Sequence, residues 1–208
     1  MMRQTNTKER ILDCAIDLFS EKGYKEVSVR EIAAAVGIRA ASLYKHYENK
    51  EAILESIFSL FRAIMAETQQ YEKEMLQLPE GMSAEEILTG AFLLFRDLIY
   101  TPRLLKITRI INMEQAHNEL VKAFFLQELV DRPIAELTGT FAAMIAAGLL
   151  HSADAQMLAK TYHAMIISAY YTHNILRAEV DLPQVEAEML GFIRFFCQVF
   201  GSSTIFEG

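Results

Sequence analysis

The sequence predicts an all-α protein of about nine helices, on three observations. Apolar residues recur three and four positions apart almost throughout, the spacing that lines one face of a helix. No stretch alternates with period two, and no Asn-Gly or Asp-Gly pair marks a hairpin. Most of the 4 prolines and 9 glycines fall where a helical pattern stops.

The first helix is expected over 8–21. Ile11, Ala15, Leu18 and Phe19 form its apolar stripe, and Gly23 provides a left-handed stop. Ser28 opens the second, with Glu31 three residues on completing a capping box, and Val29, Ile32, Ala33 and Val36 share one side. Gly37 ends it, and a third short helix follows over 39–47. The fourth starts near Asn49 and runs towards Leu78, before Pro79. Ser83 and Glu86 form a second capping box for the fifth, whose apolar residues lie on every side, which predicts a central position. Pro102 sits in the first turn of the sixth. The seventh runs from Asn118 towards Gly148 with a kink at Pro133. Asp154 caps the eighth, ending near Arg177, and Pro183 opens the ninth, ending at Gly201.

Charge is unevenly spread along this frame. The 208 residues carry a net −7, yet residues 1–50 hold 9 basic and 7 acidic side chains, a net +2, and the rest a net −9. The 2 cysteines, Cys14 and Cys197, are too few for a disulfide framework or a zinc cluster. Arg3, Lys8, Glu9 and Arg10 near the start predict no apolar leader. The longest uncharged run, 137–153, is shorter than the roughly 20 residues a membrane span needs. A cytoplasmic setting with no membrane partner is the expectation.

The stretch 28–47 carries the most specific chemistry. Two short helices about Gly37 form a helix-turn-helix pattern. Ala33 lets the second and third helices cross closely, and Gly37 can take the positive φ of the turn. Ile38 and Leu43 anchor the third helix on the first two. Arg39, Ala40, Ala41, Ser42, Tyr44, Lys45 and His46 then form an outward edge with no acid before Glu48. The small Ala40 and Ala41 allow close approach to a major-groove floor. Arg39 and Lys45 can donate to phosphates or guanine edges, and Ser42, Tyr44 and His46 can bond phosphate oxygens. Ser28, Arg30 and Lys50 lie at or near the starts of neighbouring helices, where backbone N–H groups favour phosphate. Double-stranded DNA is the expected partner, although a solvated helical corner would share the pattern.

In order and spacing, the segments Gly23-Tyr24, 27–33, Val36-Gly37-Ile38, 42–47 and Asn49-Lys50-Glu51 resemble the DNA-binding domain of the TetR family of bacterial transcriptional regulators. The likeness covers about the first 55 residues. It implies a two-domain, all-helical homodimer. Helices one to three (residues 1–50) would bind DNA. In the larger domain (residues 51–208), helices four to seven would enclose an effector pocket and helices eight and nine would dimerise. Arg39 stands where the family often places a capping Ser or Thr, so the operator sequence does not carry over.

The ninth helix supports dimerisation by itself. Val185, Met189, Phe192, Phe196 and Val199 form one stripe, and Leu190, Ile193, Cys197 and Phe200 a second, so one can cover the parent domain and the other a partner. The body holds many of the 10 Met and 13 Phe residues. Phe61, Met65, Phe92, Phe95, Met113, Met144, Tyr162 and Met165 are candidate linings for a mostly apolar effector, or ordinary core. Arg103, Lys106 and Arg109 recur along the sixth helix, as a solvated face or as a contact to an anion or to the DNA-binding domain. Glu114 and His117 form an ExxH pair with no second pair to complete a di-iron site, and His151, His163 and His173 lack metal-ligand spacing. No nucleophile elbow, phosphate loop or cofactor fingerprint is present, so no enzyme, metal or cofactor is predicted.

The resulting expectation is a ligand-responsive transcriptional regulator, foremost a repressor. The fourth helix would serve as lever, and the sixth would push on the first. Two alternatives stay open: a helical carrier or enzyme with a vestigial helix-turn-helix, and a constitutive DNA-bound adaptor for a protein partner.

Overall fold

A computed structural model describes residues 6–75, 81–151, 154–177 and 180–202, with backbone alone over 67–75. The α-helices are α1 (Thr7–Lys22), α2 (Val29–Val36), α3 (Ala40–Leu43), α4 (Lys50–Met75), α5 (Ala84–Ile99), α6 (Pro102–Glu114), α7 (Glu119–Phe125), α8 (Arg132–Ala146), α9 (Ala155–Tyr170) and α10 (Leu182–Phe200). Two π-helical segments, Leu126–Asp131 and Tyr171–Ile175, extend α7 and α9. The seventh predicted helix is thus α7, a π segment and α8 in succession; the eighth is α9 with its π extension; the ninth is α10. Among the described residues there is no β-strand, only an isolated bridge between Leu150 and Gly201. Leu78 and Pro79, the predicted end of the fourth helix, lie outside the described residues. The chain forms two compact units: everything up to Ala66 together with Tyr100–Phe125, and Glu67–Ile99 together with the chain from Leu126 on.

In the first unit, α1 begins one residue before the predicted start. Asn6 caps it and Glu9 returns the bond to the Asn6 N–H, a capping box the sequence reading passed over. Ile11, Ala15, Ile16 and Phe19 are buried together with Ile32, Ala33, Val36, Leu43, Ile53, Leu54 and Ile57. Burial stabilises each large side chain by about 1.5–3 kcal/mol, more than a cap's ~1 kcal/mol, so this core holds the three short helices in place. The Ser28–Glu31 box opens α2 as predicted. At its end Gly37 takes φ 78° and ψ 31°, while Ile38 N–H bonds Ala33 O at 2.9 Å and Gly37 N–H bonds Ala34 O at 3.0 Å. This pair of hydrogen bonds is a Schellman closure, which needs the left-handed residue a glycine supplies.

The third helix is shorter than predicted. It makes one α-turn, and then tight turns carry the chain to Tyr47, with His46 N–H on Leu43 O at 2.8 Å. Arg39 provides no side-chain cap at its start, and Tyr47 turns into the core at its end. Asn49 then caps α4 through the Ala52 N–H at 2.8 Å.

The second unit packs α8 on α9, α9 on α10 and α10 on α5. Phe141 and Tyr162 meet Phe196 at ring separations of 5.5 and 5.6 Å, and Phe192 joins them. Asp154 and Asp181 cap α9 and α10. Where a kink at Pro133 was expected, the helix departs from α geometry as the π segment just before that residue. Proline has no N–H to offer the carbonyl four residues back, and its ring crowds that carbonyl. Leu129 O, which occupies that place, instead bonds His163 Nε2 at 2.9 Å.

Two packing expectations do not hold in the structure. The fifth helix is not central: α5 buries Ala84, Ile87, Leu88, Phe92 and Ile99, while Leu94 is exposed, because α10 is the main neighbour it packs on within its unit. On α10 the inward set is Val185, Met189, Ile193 and Phe196, drawn from both predicted stripes, and Val199 faces outward beside Phe195, which is 62% exposed. A face apolar on two adjacent sides leaves the inward direction open until a neighbour selects it.

Candidate nucleic-acid interface

The predicted DNA-facing residues fall on the helix-turn-helix of the first unit. Leu43 and Tyr47 are buried, which turns the opposite edge of α3 and its following turns to the outside. Arg39, Ala41, Tyr44, Lys45 and His46 are exposed there, with Ala40 and Ser42 half-buried between them. Tyr44 is 53% exposed, high for so large an aromatic ring. Arg30 and Ser28 are exposed at the start of α2. Among the described residues no side-chain hydrogen bond or ion pair engages Arg30, Arg39, Tyr44, Lys45 or His46. This edge therefore presents unspent donors beside small residues. Ser28 is partly committed, since its Oγ accepts the Glu31 N–H at 3.2 Å. The bonds from Ser28 and Lys22 hold the Glu31 carboxyl below its usual range.

Lys50 is placed differently from the expectation. Its Nζ donates to Tyr24 O at 2.7 Å, Val27 O at 2.9 Å and Lys25 O at 3.3 Å, and lies 4.3 Å from the centre of the Tyr24 ring. Three carbonyls match the three N–H donors of an ammonium, so Lys50 braces the α1–α2 turn instead of facing a phosphate. Burial lowers its pKa, against the pull of Glu114, Glu26 and Glu31. The other end of α2 is held as well: Arg10 Nη2 donates to Val36 O at 2.6 Å, a cation on the negative end of a helix.

Two of the three basic residues of α6 contact α1, one of the uses left open for them. Arg103 pairs with Asp13 at 2.6 Å and Lys106 with Asp17 at 2.7 Å. At the last turn of α6, Glu114 Oε1 accepts the Tyr24 N–H at 2.9 Å, which the reading of Glu114 and His117 as an incomplete metal pair gave no hint of. The α1–α2 turn is thus gripped by Glu114 from α6 and by Lys50 from α4. The α6–α7 hairpin is in turn anchored by Phe124, stacked 3.9 Å from Phe58, edge-on to Phe61 at 5.4 Å, and covered by Arg62 at 4.9 Å.

The eight candidate pocket residues divide between the units. Phe61, Met65 and Met113 belong to the first; Phe92, Phe95, Met144, Tyr162 and Met165 belong to the second. Met113 is 40% exposed, because the end of α6 sets it over the Gly23 turn, so it is not an interior residue. Met144 and Tyr162 are buried, Tyr162 within the aromatic core of the second unit. Among the described residues no cluster of three His, Cys, Asp or Glu side chains is placed to hold a metal ion, and no helix is long and apolar enough to cross a membrane.

Comparison with known proteins bears on both parts of the chain. Residues 11–57 match the model of bacterial regulatory proteins of the tetR family, and residues 86–201 match the AefR-like transcriptional repressor C-terminal domain. The biofilm operon icaADBC negative transcriptional regulator IcaR of Staphylococcus epidermidis is 48% identical over 58 residues, 26% of this chain and 31% of that protein. Its Staphylococcus aureus counterpart is 50% identical over 48 residues, 23% of this chain and 26% of that protein. The chain therefore spans less than a third of the length of these curated relatives. Among solved structures, one described as a TetR-family regulator from Mesorhizobium loti superposes with a TM-score of 0.76 at 19% identity, covering 97% of this chain and 100% of that one. SmeT, the repressor of the Stenotrophomonas maltophilia multidrug efflux pump SmeDEF, gives 0.69 at 15% identity over 97% of this chain and 94% of its own. The complex of SmeT with triclosan gives 0.72 at 17% over 96% and 94%. The C-terminal match alone spans more than half of the 208 residues. The chain belongs to the TetR family of bacterial regulatory proteins.

Proposed function

We propose that the protein is a transcriptional repressor that binds a palindromic operator as a homodimer and is released by a small, mostly apolar effector. The observation that carries this reading is the outward edge of α3. Arg39, Tyr44, Lys45 and His46 are exposed and unengaged around a buried Leu43 anchor, with Ala40 and Ala41 between them. Arg39 reads bases; Arg30, Ser42, Tyr44, Lys45 and His46 bind phosphate, with Ser28 at the helix start. Lys50 serves the same interface indirectly, by holding the turn that precedes α2. Residues 1–50 act as the DNA-binding domain and residues 51–208 as the effector and dimer domain, working in the cytoplasm without catalysis.

The names of the relatives support repression: IcaR is a negative regulator and SmeT a repressor, and SmeT is known with the small aromatic molecule triclosan. The partner surface lies on the last two helices, where Met157, Phe195 and Val199 are large apolar residues left exposed in the single chain. The effector lies against Phe92, Phe95 and Met165 in the second unit. Two recognition helices must sit about 34–36 Å apart to enter successive major grooves. An effector that favours a different spacing, with coupling of about 1–3 kcal/mol, weakens DNA binding between fivefold and about a hundredfold. The lever is α4, whose residues belong to both units, and α6 lies against α1, with Arg103 and Lys106 at the contact.

The test is binding to a fragment of the protein's own promoter at two salt concentrations. Binding must weaken steeply with salt. Arg39→Ala is expected to lose affinity for the promoter and to narrow the gap between promoter and scrambled DNA, whereas Tyr44→Ala weakens both alike. Equal losses on both DNAs for Arg39→Ala would remove its base-reading role.

A further inference from the structure

We propose that Glu114 is a positioning residue for DNA binding: its carboxylate fixes the Gly23-Tyr24 turn, and with it the α2–α3 pair, in the pose that meets the duplex. This rests on the DNA-binding reading above. Glu114 is only 9% exposed, and among the described residues it forms no ion pair, although the Lys50 ammonium attracts it. A buried carboxylate in that state is costly unless its hydrogen bonds are good. Its bond to the Tyr24 N–H is charge-assisted, a class about twice as strong as neutral bonds. The turn is shaped to receive it. Gly23 has φ +87°, and a Cβ there would stand 3.2 Å from Glu114 Oε1, so a side chain would both strain the backbone and crowd the carboxylate. Lys50 holds the carbonyl side of the same turn, and Tyr24 is wedged edge-on against Phe19 at 5.2 Å. Thus α1, α4 and α6 meet at one turn, and four residues later Ser28 starts α2.

From there the geometry is stiff. The Schellman closure joins α2 to α3, and Arg10 fixes the far end of α2. A shift of the turn therefore moves the α3 edge as a body. Glu114 carries this coupling better than the two ion pairs on the same helix. Arg103–Asp13 and Lys106–Asp17 are close to half exposed on both sides, and such pairs contribute little.

The test uses the full-length protein and a fragment of its own promoter. Dissociation constants are measured at two salt concentrations, well below the melting temperature, with amide exchange at Tyr24 followed in parallel. Glu114→Ala is expected to weaken DNA binding about tenfold, the effect of losing one bond to a charged acceptor, with an unchanged salt dependence and faster Tyr24 exchange. Glu114→Gln keeps an acceptor oxygen and recovers most of both. The Asp13→Asn and Asp17→Asn pair changes affinity less than twofold. Should Glu114→Ala fail to fold, Glu114→Asp, whose carboxylate is one methylene short of Tyr24, takes its place with the same expectation. Undiminished affinity alongside faster Tyr24 exchange overturns the role of Glu114. So does a loss in Glu114→Ala that Glu114→Gln shares in full. Failure of the unmodified chain to bind its promoter overturns the DNA-binding reading itself, and the role of Glu114 with it.

Discussion

Truncating Phe124 to alanine tests whether α6 and α7 are built into the first unit. The ring is 3% exposed, stacked on Phe58, edge-on to Phe61 and covered by Arg62. Removing a buried Phe side chain costs about 3–5 kcal/mol in lost transfer energy and residual cavity. The ring contacts contribute about 0.5–1.5 kcal/mol apiece beyond area burial. Phe124→Leu keeps much of the volume and loses only the ring geometry, so it should cost about 1–2 kcal/mol. For a chain of this length each kcal/mol lowers the melting temperature by about 2–4 °C, so Phe124→Ala is expected to shift the melting transition by about 6–20 °C. Differential scanning calorimetry reads the shift, and DNA binding measured below the lowered transition reads the consequence. Loosening α7 from α4 frees α6 from the turn it grips, so affinity should also fall in the folded variant. A shift under 2 °C, or equal shifts for the Ala and Leu variants, would refute the reasoning that stacked rings secure these helices.

The remaining expectations concern the half-buried Lys50 and the buried His163. Lys50→Met removes three bonds to loop carbonyls and should cost about 1–3 kcal/mol of stability while leaving the salt dependence of DNA binding unchanged. A fall of about one in the salt slope would instead put its ammonium on a phosphate. Burial lowers the pKa of His163 from its ordinary 6.5, with the bond to Leu129 O opposing in part. The folded state then binds fewer protons than the unfolded one, so this residue's contribution is fully present above about pH 6.5 and is lost as pH falls towards the lowered folded value. Thermal melts between pH 7.5 and 5 should show a larger drop for the unmodified chain than for His163→Gln; parallel curves would contradict this.

What the sequence revealed depended on how local the deciding interaction is. The Ser28–Glu31 box and the Gly37 closure involve partners within five residues, and both stand in the structure as read. That the helix is irregular near Pro133 was equally readable, because proline's missing N–H is a property of one residue. The α3 edge could be placed because Leu43 is the apolar residue that must face inward. Glu114 and Lys50 were beyond such reasoning. Glu114 bonds a backbone N–H 90 residues away, and Lys50 bonds carbonyls 23–26 residues away, so no spacing along the chain announces them. The α10 stripes were misdivided for a different reason: two adjacent apolar faces offer two ways to pack, and only the position of α5 and α9 chooses. The pocket candidates suffered from composition. A methionine suits a core, a cavity wall or the exposed end of α6 equally well, and Met113 took the last of these.

The central claim is that two copies of the α3 edge read duplex DNA, and hydroxyl-radical footprinting on the protein's own promoter tests it most directly. Two protected patches on one face of the duplex, centred about one helical turn apart or a whole multiple of it, are predicted, and both should fade together in Tyr44→Ala. A footprint confined to one patch, or protection that persists undiminished when Arg39, Tyr44 and Lys45 are all replaced by alanine, would contradict it.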